Sequence, residues 1–407
     1  MTVTIDDIRR AAELIGGTIA LSPCIAAPRL SQKSGADVHL KLETVHVTGS
    51  FKERGALARL LTLAPEAARA GVIAMSAGNH AQGVACHATR LGIPATIVMP
   101  EGTPFTKIER TEDFGARVLL HGRTLAEARA FAWQVADRDG LTFVHPYDDP
   151  MVVAGQGTIG LELAEQLPGL DDVIVPIGGG GLIAGIATAI RALRPQVRIW
   201  GVQTALYPAM RQALAGAPVS AGGDTLAEGI AVAEPGRLPR EMLIGLLEDI
   251  LLVDEGAIER AVHLLIDQQK IVAEGAGAAP VAALLANPDP FRGRQVAVVI
   301  GGGNIDDRLL ASILMRGLVR DGRLIRIRIE LNDAPGALSR VTRLVADAGG
   351  NIVEIYHQRL FFDVPVKRAE VDAVVEIRNF RHAELLVKAL VDGGFPTRQM
   401  TYTNSGG

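Results

Sequence analysis

Between residues 72 and 144 the chain repeats one unit: a short apolar run, then a longer stretch whose apolar residues recur at helical spacing. Val72-Ile73-Ala74-Met75, 95–99, 117–120 and 141–144 read as strands. The stretches 81–91, 106–114 and 125–136 read as the helices between them. Strands this apolar have no polar face to turn to water, so they belong in a parallel sheet covered on both sides. The rhythm resumes with helix 157–166, strand 173–175, helix 183–193 and strand 198–202. A Gly-, Ala- and Pro-rich region at 207–236 follows, then helices at 257–269 and 276–286 and a strand at 295–300. Upstream, Thr4 caps a helix running to Leu14, 38–42 suits a strand and 56–63 a helix. The fold class is α/β, with enough strands in the first 320 residues for two open parallel sheets.

The tail has a different rhythm. Strand 325–331, helix 335–348, strands 351–359 and 371–377, helix 383–391 and strand 396–400 make a β-α-β-β-α-β, ferredoxin-like order. The polar link Arg320-Asp321-Gly322-Arg323 marks the boundary, and only the last few residues read as disordered.

Composition excludes several classes. Of 407 residues 48% are hydrophobic and 21% charged, with a net charge of -4, so the basic footprint of a nucleic-acid binder is missing. Aromatics at 4% are too few for a base-stacking surface. Cys24 and Cys86 form no metal or redox spacing and read as reduced cysteines of a cytoplasmic protein. Asp6, Asp7, Arg9 and Arg10 rule out a signal peptide. Residues 173–190 are apolar enough to suggest a membrane span, but Pro176 and a run of glycines read instead as strand, loop and helix, so no membrane partner is expected.

Four stretches carry chemistry. In Thr48-Gly49-Ser50-Phe51-Lys52-Glu53-Arg54-Gly55-Ala56 a lysine sits beside an aromatic and small residues. Such a frame lets the backbone approach a planar ring, and a buried lysine is neutral often enough to form a Schiff base. Ser76-Ala77-Gly78-Asn79-His80-Ala81-Gln82-Gly83 follows a strand and opens a helix, where free N–H groups favour a carboxylate. Ser76 as a helix cap and Asn79 as a turn residue is the structural alternative. Gly178-Gly179-Gly180-Gly181-Leu182 lets backbone amides converge on a phosphate. Gly179, Gly181 and Ala184 also fit G-x-G-x-x-A, but the next strand ends in Val202-Gln203 without the acid a nicotinamide cofactor wants. The fourth stretch, Gly301-Gly302-Gly303-Asn304, is a strand-end site or a tight turn. An imine-forming lysine, a monophosphate cradle and a carboxylate site together describe a pyridoxal-phosphate enzyme acting on an amino acid.

On these stretches the sequence resembles the threonine dehydratases (threonine ammonia-lyases) of the tryptophan-synthase-β-like, fold type II family, from about residue 5 to 320. The resemblance implies a catalytic domain at 1–320 with a smaller subdomain, about 45–150, inserted in the larger. It implies that Lys52 carries pyridoxal 5′-phosphate covalently and that Phe51 packs beside the ring. Asn79 would hydrogen-bond the 3-hydroxyl, and Ser76, Asn79 and His80 would lie around the substrate carboxylate. The amides of Gly178, Gly179, Gly180, Gly181 and Leu182 would hold the phosphate. One departure is Gly301, where the family usually has a Ser or Cys beside the pyridine nitrogen. Residues 325–402 resemble an ACT domain, on Asp333-Ala334-Pro335-Gly336-Ala337-Leu338. Such modules sense amino acids, here a branched-chain effector, or serve only subunit contact.

The implied reaction is β-elimination, L-threonine to 2-oxobutanoate and ammonia and L-serine to pyruvate, in a homodimer or homotetramer. Rivals are serine racemase, hydroxyaspartate dehydratase, cysteine-synthase-like β-replacement and a non-catalytic amino-acid sensor. Racemases of this family resemble Ser-Ser-Gly-Asn-His, whereas this chain has Ala77 in place of the second serine. By the resemblance to the related racemases Asp224 and Glu228 could hold a divalent cation, but such carboxylates are more often a solvated loop face, so no metal ligands are assigned.

Overall fold

The apolar runs form three sheets in the computed structural model, which describes residues 2–358 and 368–400. The chain divides into two compact units, Met1–Ile305 and Asp306–Gly407. In the first, β1 (Cys24–Ala26), β2 (Asp37–Leu42), β7 (Asp172–Pro176), β8 (Arg198–Thr204), β9 (Asp249–Val253) and β10 (Gln295–Ile300) make a six-stranded sheet in the order β1-β2-β10-β7-β8-β9. All its pairings are parallel except β1 with β2. The chain between β2 and β7 forms a second sheet from β3 (Val72–Met75), β4 (Ala95–Met99), β5 (Arg117–Leu120) and β6 (Thr142–Phe143), ordered β5-β4-β3-β6 and parallel throughout.

The smaller sheet shows why its strands lack a polar face. Val72 and Ala74 pack with the helix Asn79–Arg90 on one side, while Ile73 packs with Ala128, Ala132 and Val135 of the helix Leu125–Asp139 on the other. Alternate residues of one strand therefore feed two separate cores. The larger sheet buries Val173, Val175, Ala297 and Val299 against Ile8, Leu57, Val153, Ile159 and Ile183. Its helices approach backbone to backbone. A Cβ on Gly185 would lie 2.4 Å from the Val153 carbonyl oxygen, and one on Gly155 would lie 2.6 Å from that of Arg54. Glycine is what lets the helices Lys52–Leu61, Pro150–Gln166 and Gly181–Leu193 nest so closely.

A polar hub sits within this packing. Arg54 is 1% exposed. Its Nε and Nη2 donate to Glu43 Oε2 and Oε1 at 2.7 and 3.0 Å, and Nη1 and Nη2 to Glu162 Oε1 and Oε2 at 2.6 and 3.0 Å. Thr158 Oγ1 and Ser22 Oγ accept further N–H bonds at 3.0 and 3.1 Å. Lys41 Nζ, fully buried, donates to Glu162 Oε2 at 2.5 Å and to the Ser22 carbonyl at 2.8 Å. The Arg54 guanidinium holds the Glu43 carboxyl far below the usual carboxylate range against the burial that opposes it.

The second unit contains the helix Asp307–Arg320, then β11 (Leu324–Asn332), β12 (Asn351–Gln358), β13 (Arg368–Glu376) and β14 (Thr397–Gln399) in the antiparallel order β12-β13-β11-β14. With the helices Ala337–Asp347 and Phe380–Asp392 this is the β-α-β-β-α-β order expected from the sequence. Ile325, Ile327, Ile329 and Leu331 face Val341, Val345, Leu386 and Leu390. On alternate positions Arg326 and Arg328 bind Asp372 across the strands at 2.7 to 2.9 Å. Arg359, expected at the end of the second tail strand, and the terminal residues 401–407 lie outside the described residues.

Several boundaries differ from the sequence reading. The helices expected from Ala56, Ala81 and Gly157 begin at Lys52, Asn79 and Pro150, so two candidate site residues are the first residues of helices. Periodicity missed the turns at Lys52 and Asn79 because their side chains serve the site and break the apolar pattern. β1 and β9 were not read at all. The helix expected over 257–269 gives way at Leu265 to a π turn ending at Lys270. The apolar stretch 173–190 is β7, a loop and the start of a helix, and among the described residues no helix is long and apolar enough to cross a membrane.

Removing the guanidinium would take from the buried Glu43 its main counter-charge and leave Glu162 with Lys41 alone. Arg54→Leu is expected to cost about 3–5 kcal/mol of stability, read as a lowered denaturant midpoint. A change below about 1 kcal/mol, the scale of an exposed ion pair, would contradict this reading of the hub.

Candidate active site

The parallel sheets dictate where a site can form. β2, β10 and β7 are adjacent and run the same way, so their carboxyl ends share one edge. From the end of β2 the chain turns through Glu43–Val45 to Lys52, β10 leads into Gly301, and β7 leads into the glycine loop. The smaller sheet brings Ser76 to His80 to the same place from the end of β3.

The lysine stretch is held to the end of β10 by its backbone. Phe51 N donates to the Gly301 carbonyl at 3.0 Å, Gly303 N to that of Gly49 at 2.9 Å, and Ser50 bridges Gly302. Glu53 accepts from the Thr48 amide and from His87 Nε2, the latter at 3.0 Å, which closes the loop from below. Lys52 Nζ donates to the Pro146 carbonyl at 2.9 Å and lies 5.1 Å from the centre of the Phe51 ring. Burial pushes the Lys52 amine down to about 8, with the Glu274 carboxyl pulling the other way.

Ser76 does not cap the helix Asn79–Arg90 directly, since its Oγ accepts from Gly78 N at 3.2 Å within the turn before it. Asn79 does more than fill that turn. Its Nδ2 donates to Glu274 Oε1 at 2.7 Å, and its Oδ1 accepts from Asn304 Nδ2 at 2.8 Å. The His80 imidazole donates from Nε2 to the Val144 carbonyl at 2.9 Å. Burial, helped by the Lys52 charge, pushes its pKa down to about 3, so the ring is neutral. Neutral His145, pushed down to about 4 by burial, accepts at Nδ1 from the amides of Tyr147 and Asp148.

The glycine loop spans the end of β7 and the start of the helix Gly181–Leu193, whose first amides have no partner within the helix. Gly180 turns through φ +98°, a conformation other residues rarely adopt. The loop is also crowded: a Cβ on Gly179 would come within 2.2 Å of the Tyr147 ring. Tyr147 in turn donates from its hydroxyl to the Glu234 carbonyl at 3.1 Å. At Gly301 a Cβ would lie 3.2 Å from Phe51 Cδ1. The edge thus offers a desolvated amine, helix-start amides that favour an anion and an aromatic ring beside the lysine. Thr48 Oγ1, Ser50 Oγ and His80 Nδ1 are buried there without a hydrogen-bond partner in the protein. That set fits a planar, phosphorylated aldehyde.

A family of sequences described as pyridoxal-phosphate dependent enzymes matches residues 15–302. The chain belongs to this family. Its members use pyridoxal phosphate, the cofactor the donor set fits. The chain is 42% identical over 398 residues to an L-threonine ammonia-lyase of Thermotoga maritima, covering 97% of this chain and 99% of that one. Among solved structures it resembles threonine deaminase isoform 2 of Solanum lycopersicum at TM-score 0.71 and 34% identity, covering 76% of this chain and 93% of that one. It also resembles maize serine racemase at TM-score 0.73 and 30% identity, covering 79% and 99%.

Glu274, Asn304, Pro146 and Tyr147 were not among the residues singled out for the site. Asn304 stood in a stretch that was. Glu274 had only the signal of a lone acid heading the run Gly275-Ala276-Gly277-Ala278.

Modification of Lys52 by a small amine-directed reagent, followed by peptide mapping, is expected to rise with pH through about 8 and level off above it. A rate that climbs on toward 10.5, the ordinary lysine value, would show a solvated amine.

Proposed function

We propose that this chain is an L-threonine ammonia-lyase, converting L-threonine to 2-oxobutanoate and ammonia and L-serine to pyruvate. The observation that carries this reading is its near full-length likeness to an L-threonine ammonia-lyase, tail included. When bound, pyridoxal phosphate supplies an electron sink for negative charge at the substrate Cα. Lys52 would hold the cofactor through its ε-nitrogen, and the same nitrogen would take the substrate's α-proton. An amine near pKa 8 is neutral often enough at neutral pH to act as that base. Phe51 would pack beside the ring, and Asn79 would meet the 3-oxygen. The amides of Gly178, Gly179, Gly180, Gly181 and Leu182 would hold the phosphate, which would supply a proton for the departing hydroxyl. Loss of that hydroxyl as water breaks the Cβ–O bond, and hydrolysis of the resulting enamine releases ammonia.

Ser76, Asn79 and His80 receive the substrate carboxylate. Because the His80 Nε2–H is committed to Val144, His80 contributes its backbone amide at the helix start. Gly301 would lie by the ring nitrogen and brings no side chain, so no acid there would fix a proton on that nitrogen. Ala77 argues for elimination over racemisation, since a methyl group has no proton to return to the opposite face of Cα. The Glu228 carboxylate is paired with Lys107, which favours an ion-pair role over a metal ligand.

The tail is read as an ACT domain that senses a branched-chain amino acid. β12 is an edge strand carrying exposed Val353, Ile355 and Tyr356, and a second copy pairing there would cover it in a homodimer or homotetramer. Two cysteines without metal or redox spacing support a cytoplasmic location.

A substrate panel read by keto-acid release tests these points together. Threonine and serine are expected to give product, D-serine is expected not to form from L-serine, and isoleucine or valine is expected to lower the rate. Lys52→Ala is expected to release no keto acid above background. Racemisation without keto acid would overturn the assignment.

A further inference from the structure

Asn79 is gripped from two sides, and the grips decide which way its carboxamide faces. At one end Asn304 Nδ2 donates to the Thr48 carbonyl at 2.7 Å and to Asn79 Oδ1 at 2.8 Å. A backbone carbonyl only accepts, so the Asn304 nitrogen must face it. Asn79 must therefore present its oxygen to Asn304. At the other end Glu274 Oε1 accepts from Asn79 Nδ2 at 2.7 Å. Glu274 is itself fixed, since its backbone N donates to the Gly302 carbonyl at 3.0 Å. A Cβ on Gly302 would lie 2.5 Å from Glu274 Oε1 and 3.0 Å from Asn79 Nδ2, so only a bare backbone leaves room for the contact. The chain Thr48, Asn304, Asn79, Glu274 joins the lysine loop, the end of β10, the smaller sheet and the helix Gly275–Ala286.

We propose that Glu274 and Asn304 are positioning residues for Asn79, holding its carboxamide in one orientation from opposite ends so that a single Nδ2–H remains for the cofactor's 3-oxygen. This rests on the reading above that Asn79 meets that oxygen. An amide with one N–H and its oxygen already committed cannot flip without breaking both bonds. The cofactor then meets a donor and never a carbonyl oxygen. Glu274 has a second effect, because its carboxyl and the Lys52 amine act on each other electrostatically. The charged groups around it are Lys52 and Lys107 on one hand and Glu228 on the other. Burial pushes Glu274 up to about 7, while the Asn79 bond pulls it down. It therefore gains its charge as pH rises through about 7, and once charged it favours a proton on the Lys52 nitrogen.

Two near-isosteric variants separate the effects in the full-length, cofactor-loaded protein. Asn304→Asp puts an acceptor where a donor must be, against both the Thr48 carbonyl and Asn79 Oδ1. It is expected to raise the cofactor Kd, measured by equilibrium dialysis, by about tenfold. Glu274→Gln keeps an acceptor for Asn79 but removes the charge. Its Kd is expected to stay within about threefold, while the midpoint of the pH titration of visible absorbance falls by about one unit. A residue that merely packed would not move that midpoint. Unchanged Kd in Asn304→Asp would overturn the proposal, and an unchanged midpoint in Glu274→Gln would overturn the effect of Glu274 on the Lys52 nitrogen. Absence of a visible band in the wild-type protein supplied with pyridoxal phosphate would instead defeat the reading on which the proposal rests.

Discussion

The guanidinium of Arg54 is the fixed point of the catalytic unit. It stands two residues after Lys52 on the first turn of a helix and meets Glu43 at the end of β2 and Glu162 on the neighbouring helix. Desolvating those charges is unfavourable, and only good geometry on every side offsets it. Geometry that demanding is also specific. The helix cannot rotate or slide without breaking fork-shaped contacts to both carboxylates, so the direction in which Lys52 leaves it is set. The nested glycines of the adjacent helices act toward the same end by removing the space into which that turn could relax.

Around this anchor the two parallel sheets supply complementary halves of one site. The larger sheet contributes the lysine, the glycine loop and the bare backbone at Gly301 and Gly302. The smaller contributes the turn from Ser76 to His80. Burial then sets the charges. Lys52 is pushed down to about 8 and Glu274 up to about 7, so both can change protonation near neutral pH. His80 and His145 are pushed down to about 3 and about 4, so neither adds a cation that would compete for an anionic substrate group.

The sequence made the parallel strands legible because burial on both faces leaves a continuous apolar run, as at 72–75 and 295–300. It made the tail legible because one polar face restores alternation, as in Ile325-Arg326-Ile327-Arg328-Ile329. The lysine, the Ser76–His80 turn and the glycine loop were visible because each combines small residues with reactive or polar ones at a strand end. Helix starts at Lys52 and Asn79 were not visible, since their first turns face the site and break the apolar period. β1 is a three-residue edge strand with little burial, too short to leave a pattern. Glu274 lies 195 residues from Asn79, and no local spacing encodes a partner at that distance. Tyr147 escaped notice for the same reason: its role over Gly179 is set by tertiary packing.

The account stands on a covalent bond between the Lys52 ε-nitrogen and the cofactor aldehyde. Borohydride reduction of the purified, loaded protein followed by mass-spectrometric peptide mapping reads that bond directly. The account predicts a stable pyridoxyl adduct confined to the peptide containing Lys52. An adduct on another lysine, or none on a protein that nonetheless eliminates ammonia from threonine, would contradict it.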